Sequence, residues 1–161
     1  MKQLSEQEML HIAASYSSLA ERCIYDVRKK LNSVGAQSET ADRIVAHLLK
    51  EKFIDEARYC RSFVNDKFRF NRWGRIKIGY ELRGKQISEA LIDKALMTID
   101  DEEYESVLLA LLKDKKRTVK GKTGQDIFSK LYRFAIGRGF ESDLTVRQLK
   151  KMNNEQLIMN N

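Results

Sequence analysis

The residues best able to bind a metal or act as a nucleophile are Cys23, Cys60, His11 and His47, and their spacing argues against both roles. They are the only cysteines and histidines in the chain. Neither histidine has a second ligand at metal-binding spacing. Each cysteine sits within a helical apolar pattern, the setting of a buried thiol in a reducing compartment rather than of a disulfide. The acidic run Asp100, Asp101, Glu102 and Glu103, followed by Glu105, opens a helix, where carboxylates answer the helix dipole. No converging partner makes it a catalytic pair or a cation site. Gly121-Lys122-Thr123 ends like a phosphate-binding loop, but Lys116 stands where the upstream glycine is required and no strand precedes it. Gly137-Arg138-Gly139 lacks the remainder of a dinucleotide fingerprint. No nucleophile elbow occurs. The sequence therefore predicts no catalytic residue, no metal and no cofactor.

Charge is the stronger signal. Between Lys67 and Lys85 the chain carries Lys67, Arg69, Arg72, Arg75, Lys77, Arg83 and Lys85 against one acid, Glu81. Phe68, Phe70, Trp73 and Tyr80 are interleaved with them. Cations and rings together can grip phosphates and stack on bases. At helical spacing, however, the aromatics read as core, while the cations read as a binding face. Asn71 reads as the cap between two helices. A second cluster, Lys113, Lys115, Lys116, Arg117, Lys120 and Lys122 around Asp114, spans a helix end and a loop. Lysines there answer the helix dipole locally, or form a mobile basic loop on a phosphate backbone.

The elements that must position these side chains are helical. Proline is absent, which removes the commonest helix breaker. Ser5-x-x-Glu8 is a capping box, and Ser38, Ser88 and Ser142, or their neighbours, precede apolar segments of helical period. No alternating β-branched run is bounded by hairpin turns. Periodicity predicts nine helices near 5–16, 18–34, 38–51, 55–70, 73–84, 88–98, 101–117, 124–137 and 141–152. The chain of 161 residues, with 30 basic and 23 acidic side chains and a net charge of +7, suits a soluble domain with a polyanionic partner. Neither a leader-like apolar run near Met1 nor a stretch of membrane-span length is evident, so the expected location is the cytosol.

The helices repeat. Val27, Leu31, Ala36, Val45 and Leu48 recur 51 residues later as Ile78, Leu82, Ile87, Leu96 and Ile99. They recur again 53 residues on as Leu131, Ala135, Phe140, Leu149 and Met152. Gly35 and Gly139 occupy one turn position, filled by Gln86 in the middle copy; glycine there suits a left-handed C-cap. The expected fold is all-α: three tandem three-helix units, helix-turn-helix-like, over about 5–51, 55–98 and 101–152, in one domain with a flexible tail at 153–161. Such units stack into an elongated, curved, right-handed array.

In these segments the sequence resembles the RecX regulatory proteins. Asp26 to Leu31 followed by Gly35 look like the helix and turn of the first repeat, and Leu49 to Tyr59, with its Phe53-Ile54-Asp55-Glu56 helix junction, is similar to the same region of the family. Trp73-Gly74-Arg75-Ile76, then Glu81-Leu82 and Ile87, are similar to the middle repeat, and Phe134 to Phe140 with Arg138-Gly139-Phe140 to the C-terminal signature. Gln86 departs from the usual glycine, which predicts a less tight turn. Ala135 departs from a larger apolar residue, which predicts a looser last repeat. The resemblance implies a monomeric, non-enzymatic modulator that lies in the groove of the RecA–single-stranded DNA filament and restrains its ATPase, strand exchange and coprotease activities. It leaves direct contact with single- or double-stranded DNA open. The rival reading is a stand-alone helix-turn-helix DNA-binding protein. Its recognition helices would begin Ser38-Glu39-Thr40-Ala41 or Ser88-Glu89-Ala90-Leu91, both poor in base-reading side chains.

Overall fold

The capping box at the start of the chain forms as its residues dictate. Ser5 Oγ accepts from the Glu8 amide (3.1 Å) and the Glu8 carboxylate accepts from the Ser5 amide (3.2 Å), which satisfies two of the orphan donors that open helix α1. The computed structural model describes residues 3–160, with side chains to residue 155. Among them it has nine helices and no strand: α1 Glu6–Leu19, α2 Ile24–Ser33, α3 Ser38–Lys50, α4 Glu56–Arg69, α5 Arg75–Gly84, α6 Glu89–Leu96, α7 Asp101–Lys116, α8 Gly124–Gly137 and α9 Ser142–Asn160. The type of every element is as the periodicity predicts. The second helix begins at Ile24, not near 18, because Ala20 to Cys23 are extended or irregular. Of the tail expected over 153–161, the backbone is helical to Asn160, and Asn161 lies outside the described residues.

Two of the three serine caps differ from expectation. Ser88 does cap α6, accepting from Leu91 N at 3.4 Å. Ser38 is instead the first residue of α3, behind Gln37, which makes no side-chain cap bond. Ser142 is likewise inside α9, and its hydroxyl meets that of Tyr132 at 2.7 Å. Asn71 caps nothing either: α5 starts at Arg75, with Gly74 before it.

The chain divides into two units. The first holds the residues through Phe63 together with Leu82–Ala95; the second holds Val64–Glu81 and Leu96 onward. In the first, Met9, Ala13, Val27, Leu31, Ala41, Ile44, Val45, Leu48 and Ile54 form one buried cluster. In the second, Tyr104, Leu108, Leu112, Leu131, Phe140 and Leu149 are buried. A buried leucine or phenylalanine contributes about 1.5–3 kcal/mol by leaving water. Thirteen of the fifteen repeated apolar positions are buried, and the other two, Ala36 and Leu96, are partly so.

The repeated turn is one motif built three times. Gly35 (φ +85°), Gln86 (φ +60°) and Gly139 (φ +95°) all adopt the left-handed conformation. The residue after each donates to the carbonyl five residues earlier: Ala36 to Leu31 (3.0 Å), Ile87 to Leu82 (3.4 Å), Phe140 to Ala135 (3.1 Å). This is the Schellman C-cap. Gln86 therefore keeps the turn that glycine makes elsewhere, with the longest of the three closing bonds. A side chain in this conformation costs about 1–2 kcal/mol. Gln86→Gly is accordingly expected to raise the urea midpoint, by about 1 kcal/mol in unfolding free energy with the slope unchanged. Ala135 is 1% exposed, so the smaller side chain at that position leaves no opening to solvent.

Candidate interaction surface

The expected binding residues are divided between the units and are largely engaged in the chain's own ion pairs. In the first unit, Arg83 meets Glu89 at 2.5 Å. Lys85 Nζ donates to Asp26 at 2.7 Å and lies over the Tyr25 ring; the hydrogen bond to that carboxylate raises the Lys85 pKa. In the second unit, Arg69 meets Glu103 (2.8 Å), and Arg75 meets Asp101 (2.8 Å) and Glu141 (3.7 Å). The scarcity of acids between Lys67 and Lys85 is thus made good from distant segments. Exposed pairs of this kind contribute only about 0–1 kcal/mol each, so they do not remove those arginines from a binding role.

Arg75 differs in kind. Its side chain is 23% exposed and lies over the Tyr104 ring, 4.0 Å from the centroid. Tyr104 is fully buried, between the rings of Phe68 and Phe140 at 5.8 and 5.1 Å. Its hydroxyl donates to Glu141 and accepts from the Arg75 amide at 2.9 Å. Burial, reinforced by the Glu141 carboxylate, pushes the phenol pKa well above its ordinary value. Its contribution to stability is therefore complete below pH 10 and is lost as pH rises beyond that. Tyr104→Phe leaves a part-buried donor, the Arg75 amide, and a part-buried acceptor, the Glu141 carboxylate, without this partner while keeping the ring. It is expected to cost about 2 kcal/mol, read as a lower urea midpoint at pH 7.

Helix α5 is also positioned by backbone contacts. Gly74 N donates to Arg138 O (2.8 Å) and Ile76 N to Gly139 O (3.0 Å). The positive end of α5 therefore meets the carbonyls that end α8, each satisfying the other's orphan groups. The approach is so close that a Cβ on Gly74 would sit 2.3 Å from Gly139 C, and one on Gly139 2.3 Å from Lys77 Cβ. This is what Gly137-Arg138-Gly139 does in place of binding a dinucleotide.

Around that junction the second unit carries cations and rings together. Arg72, at φ +53°, reverses the chain so that Trp73 N bonds Lys67 O (3.0 Å). Trp73 then has Lys67 and Lys77 ammonium groups 4.9 and 4.4 Å from its ring centroid. Phe134 has Lys115 at 5.0 Å and Arg138 at 5.6 Å. Arg72 and Arg117 both approach Asp114, at 3.6 and 3.7 Å. The two basic clusters that the sequence shows apart, Lys67 to Lys85 and Lys113 to Lys122, thus meet at Asp114. Of the cluster's lysines, Lys116 is half-buried and Lys113 pairs with Glu155 at 3.3 Å. The expectation that the aromatics are core holds for Phe68, 3% exposed, and fails for Phe70 and Tyr80, 80% and 71% exposed. Phe134, Arg138 and Asp114 are the members of this surface that sequence reasoning missed. The signal was the Arg138-Gly139 turn, whose backbone contact to Gly74 no local pattern reveals.

The remaining reactive groups show no site. Cys23 and Cys60 are buried and unpaired, and burial pushes each thiol up to about 11, which suppresses the reactive thiolate. Among the described residues no group of histidine, cysteine and carboxylate side chains is placed to hold a metal. No helix among them is long and apolar enough to cross a membrane.

Comparison with known proteins agrees with this architecture. Residues 55–96 match the family described as RecX, second three-helix domain. A regulatory protein RecX from Clostridium beijerinckii is 31% identical over 129 residues, 79% of this chain and 60% of the relative. One from Clostridium tetani is 34% identical over 132 residues, 80% of this chain and 57% of the relative. The chain thus spans about 60% of the length of these curated relatives. The crystal structure of RecX from Lactobacillus salivarius superposes with a TM-score of 0.83 at 18% identity, covering 92% of this chain and 96% of that one.

Proposed function

We propose that this chain, which belongs to the RecX family, is a non-catalytic regulator that binds the RecA–single-stranded DNA filament and restrains RecA's ATPase, strand exchange and coprotease activities. The observation that supports the reading most is the likeness to regulatory RecX proteins along about four-fifths of the chain, joined to a matching fold. The physics is compatible with it. A chain of net charge +7 is drawn to a filament that carries DNA and acidic protein surface. Charged groups on its surface are held in exposed pairs that a polyanion can displace at little cost. A regulator of this kind works in the cytosol, as a monomer, and needs neither cofactor nor metal.

The partner face proposed is the exposed part of the second unit, with Arg69, Arg72, Lys115 and Arg117 foremost and Lys67, Lys77 and Lys116 beside them. Arg75 and Lys85, held by Glu141, Asp101 and Asp26, serve the fold first; Arg83 is a peripheral contact. The test is RecA's DNA-dependent ATPase titrated with this protein. Inhibition at well below one molecule per RecA protomer supports action on the filament. No effect at molar excess refutes the reading. Tight sequence-specific binding to duplex DNA without RecA would instead favour the stand-alone helix-turn-helix alternative.

A further inference from the structure

Two rings in the second unit are each flanked by two cations, and the two sets adjoin. Trp73 lies with Lys67 and Lys77, and Phe134 with Lys115 and Arg138. Trp73 precedes Gly74 and Arg138 precedes Gly139, the residues whose backbones touch. Both rings are half-buried rather than core. Arg72 and Arg117 share the single carboxylate of Asp114 at distances above 3.5 Å, so one guanidinium charge there is left over. Arg138 Nε is a buried donor without an acceptor among the described residues.

From this arrangement we infer that the Gly74–Gly139 junction is a direct, sequence-tolerant binding site for single-stranded nucleic acid, with phosphates on the cations and bases on the faces of Trp73 and Phe134. The inference rests on the face proposed above for the filament and names the strand itself as what that face holds. The charge selects a polyanion. The rings select unpaired bases, since a duplex hides its base faces in the stack and the carboxylates of an acidic protein segment carry no aromatic face to stack. A base that stacks on Trp73 displaces an ammonium group onto the adjoining phosphate, so ring and cation contacts form together. Six cations surround the junction: Lys67, Arg72, Lys77, Lys115, Arg117 and Arg138. If most of them meet phosphates, the logarithm of affinity falls with the logarithm of salt concentration with a slope of about −3 to −4.

Trp73 is the only tryptophan of the chain and reports the site directly. The experiment titrates the protein, without RecA, with an oligo-dT of about 25 nucleotides, following Trp73 emission and the anisotropy of a labelled strand. The expected result is saturable quenching of Trp73 with the salt slope above. Lys115→Glu with Arg117→Glu is expected to weaken binding at least about tenfold. Arg28→Glu with Lys29→Glu, the same charge change in the first unit, is expected to leave it within about twofold. Binding without quenching, or equal weakening by both double variants, would overturn the site. Equal affinity and quenching with duplex DNA would overturn its preference for a single strand. Since RecA is absent, loss of this inference leaves ATPase inhibition as a separate measurement, and the reverse is equally true.

Discussion

Replacing Gly74 by alanine is expected to destabilise the second unit by about 4 kcal/mol, lowering the melting temperature by about 10 °C. The new methyl would lie 2.3 Å from both the carbonyl carbon and oxygen of Gly139 and 2.5 Å from Phe140 N. All three are backbone atoms, so no side-chain rotation relieves the clash. The chains must separate, and separation breaks the bonds from Gly74 N and Ile76 N at 2.8 and 3.0 Å. Each lost bond leaves a buried donor and acceptor unsatisfied, at about 1–1.5 kcal/mol apiece, and overpacking adds about 1–3. Gly139→Ala clashes elsewhere at the junction, its methyl falling 2.3 Å from Lys77 Cβ and 2.6 Å from Lys77 N, and adds the strain of φ +95°. Because both substitutions push the start of α5 away from the Arg138–Gly139 turn, the double variant should cost less than the two singles added. Gly84→Ala is the control: it ends α5, nothing lies within 4 Å of a Cβ there, and alanine favours the helix by up to about 1 kcal/mol. A Gly74→Ala urea midpoint equal to that of the unsubstituted protein would show that the junction is not the tight backbone contact described.

The same contact shows why some of this molecule is legible in its sequence and some is not. The offsets of 51 and 53 located the apolar set of each copy because burial repeats wherever the helical pair repeats. Leu31, Leu82 and Ala135, 0%, 0% and 1% exposed, are one structural position read three times. The turn was equally legible at Gly35 and Gly139, and Gln86 keeps its left-handed φ because the surrounding helix pair imposes it. Partners distant in sequence were not legible. Asp26 reaches Lys85 and Glu141 reaches Arg75, so charges that look unbalanced within nineteen residues are partly balanced in space. The aromatic pattern failed for a related reason. Phe68 lies within the last turn of α4 and Phe70 one residue past its end, where the chain turns away; one stacks on Tyr104 while the other faces water. The corner at Asn71 hid the last piece. Arg72, not Asn71, takes the turn, and it carries Trp73 back over Lys67.

Arg72 and Arg117 are where the proposed function and the fold separate most cleanly: if the chain restrains RecA as proposed, their joint charge reversal is expected to weaken that inhibition at least tenfold. Their side chains are 47% and 80% exposed, and each holds Asp114 only at 3.6 Å or beyond. Removing such pairs costs the fold less than about 1 kcal/mol. Against a polyanionic filament, each reversal replaces an attraction by a repulsion, and about 0.7 kcal/mol per site already gives the tenfold rise in half-inhibitory concentration. Arg75, the other arginine of that corner, makes a poor probe. Its reversal would set a carboxylate beside Asp101 and Glu141 and over the Tyr104 ring, so any loss of inhibition would come with loss of fold. Asp114→Asn supplies the opposite sign. It frees both guanidinium groups without adding charge to them, and the half-inhibitory concentration should fall. Raising salt from 50 to 200 mM should shrink both effects, because exposed charges are screened over a Debye length near 10 Å. An inhibition curve that Arg72→Glu with Arg117→Glu leaves unmoved, in a protein of normal helicity, would take the partner face away from the α4–α5 corner and the end of α7.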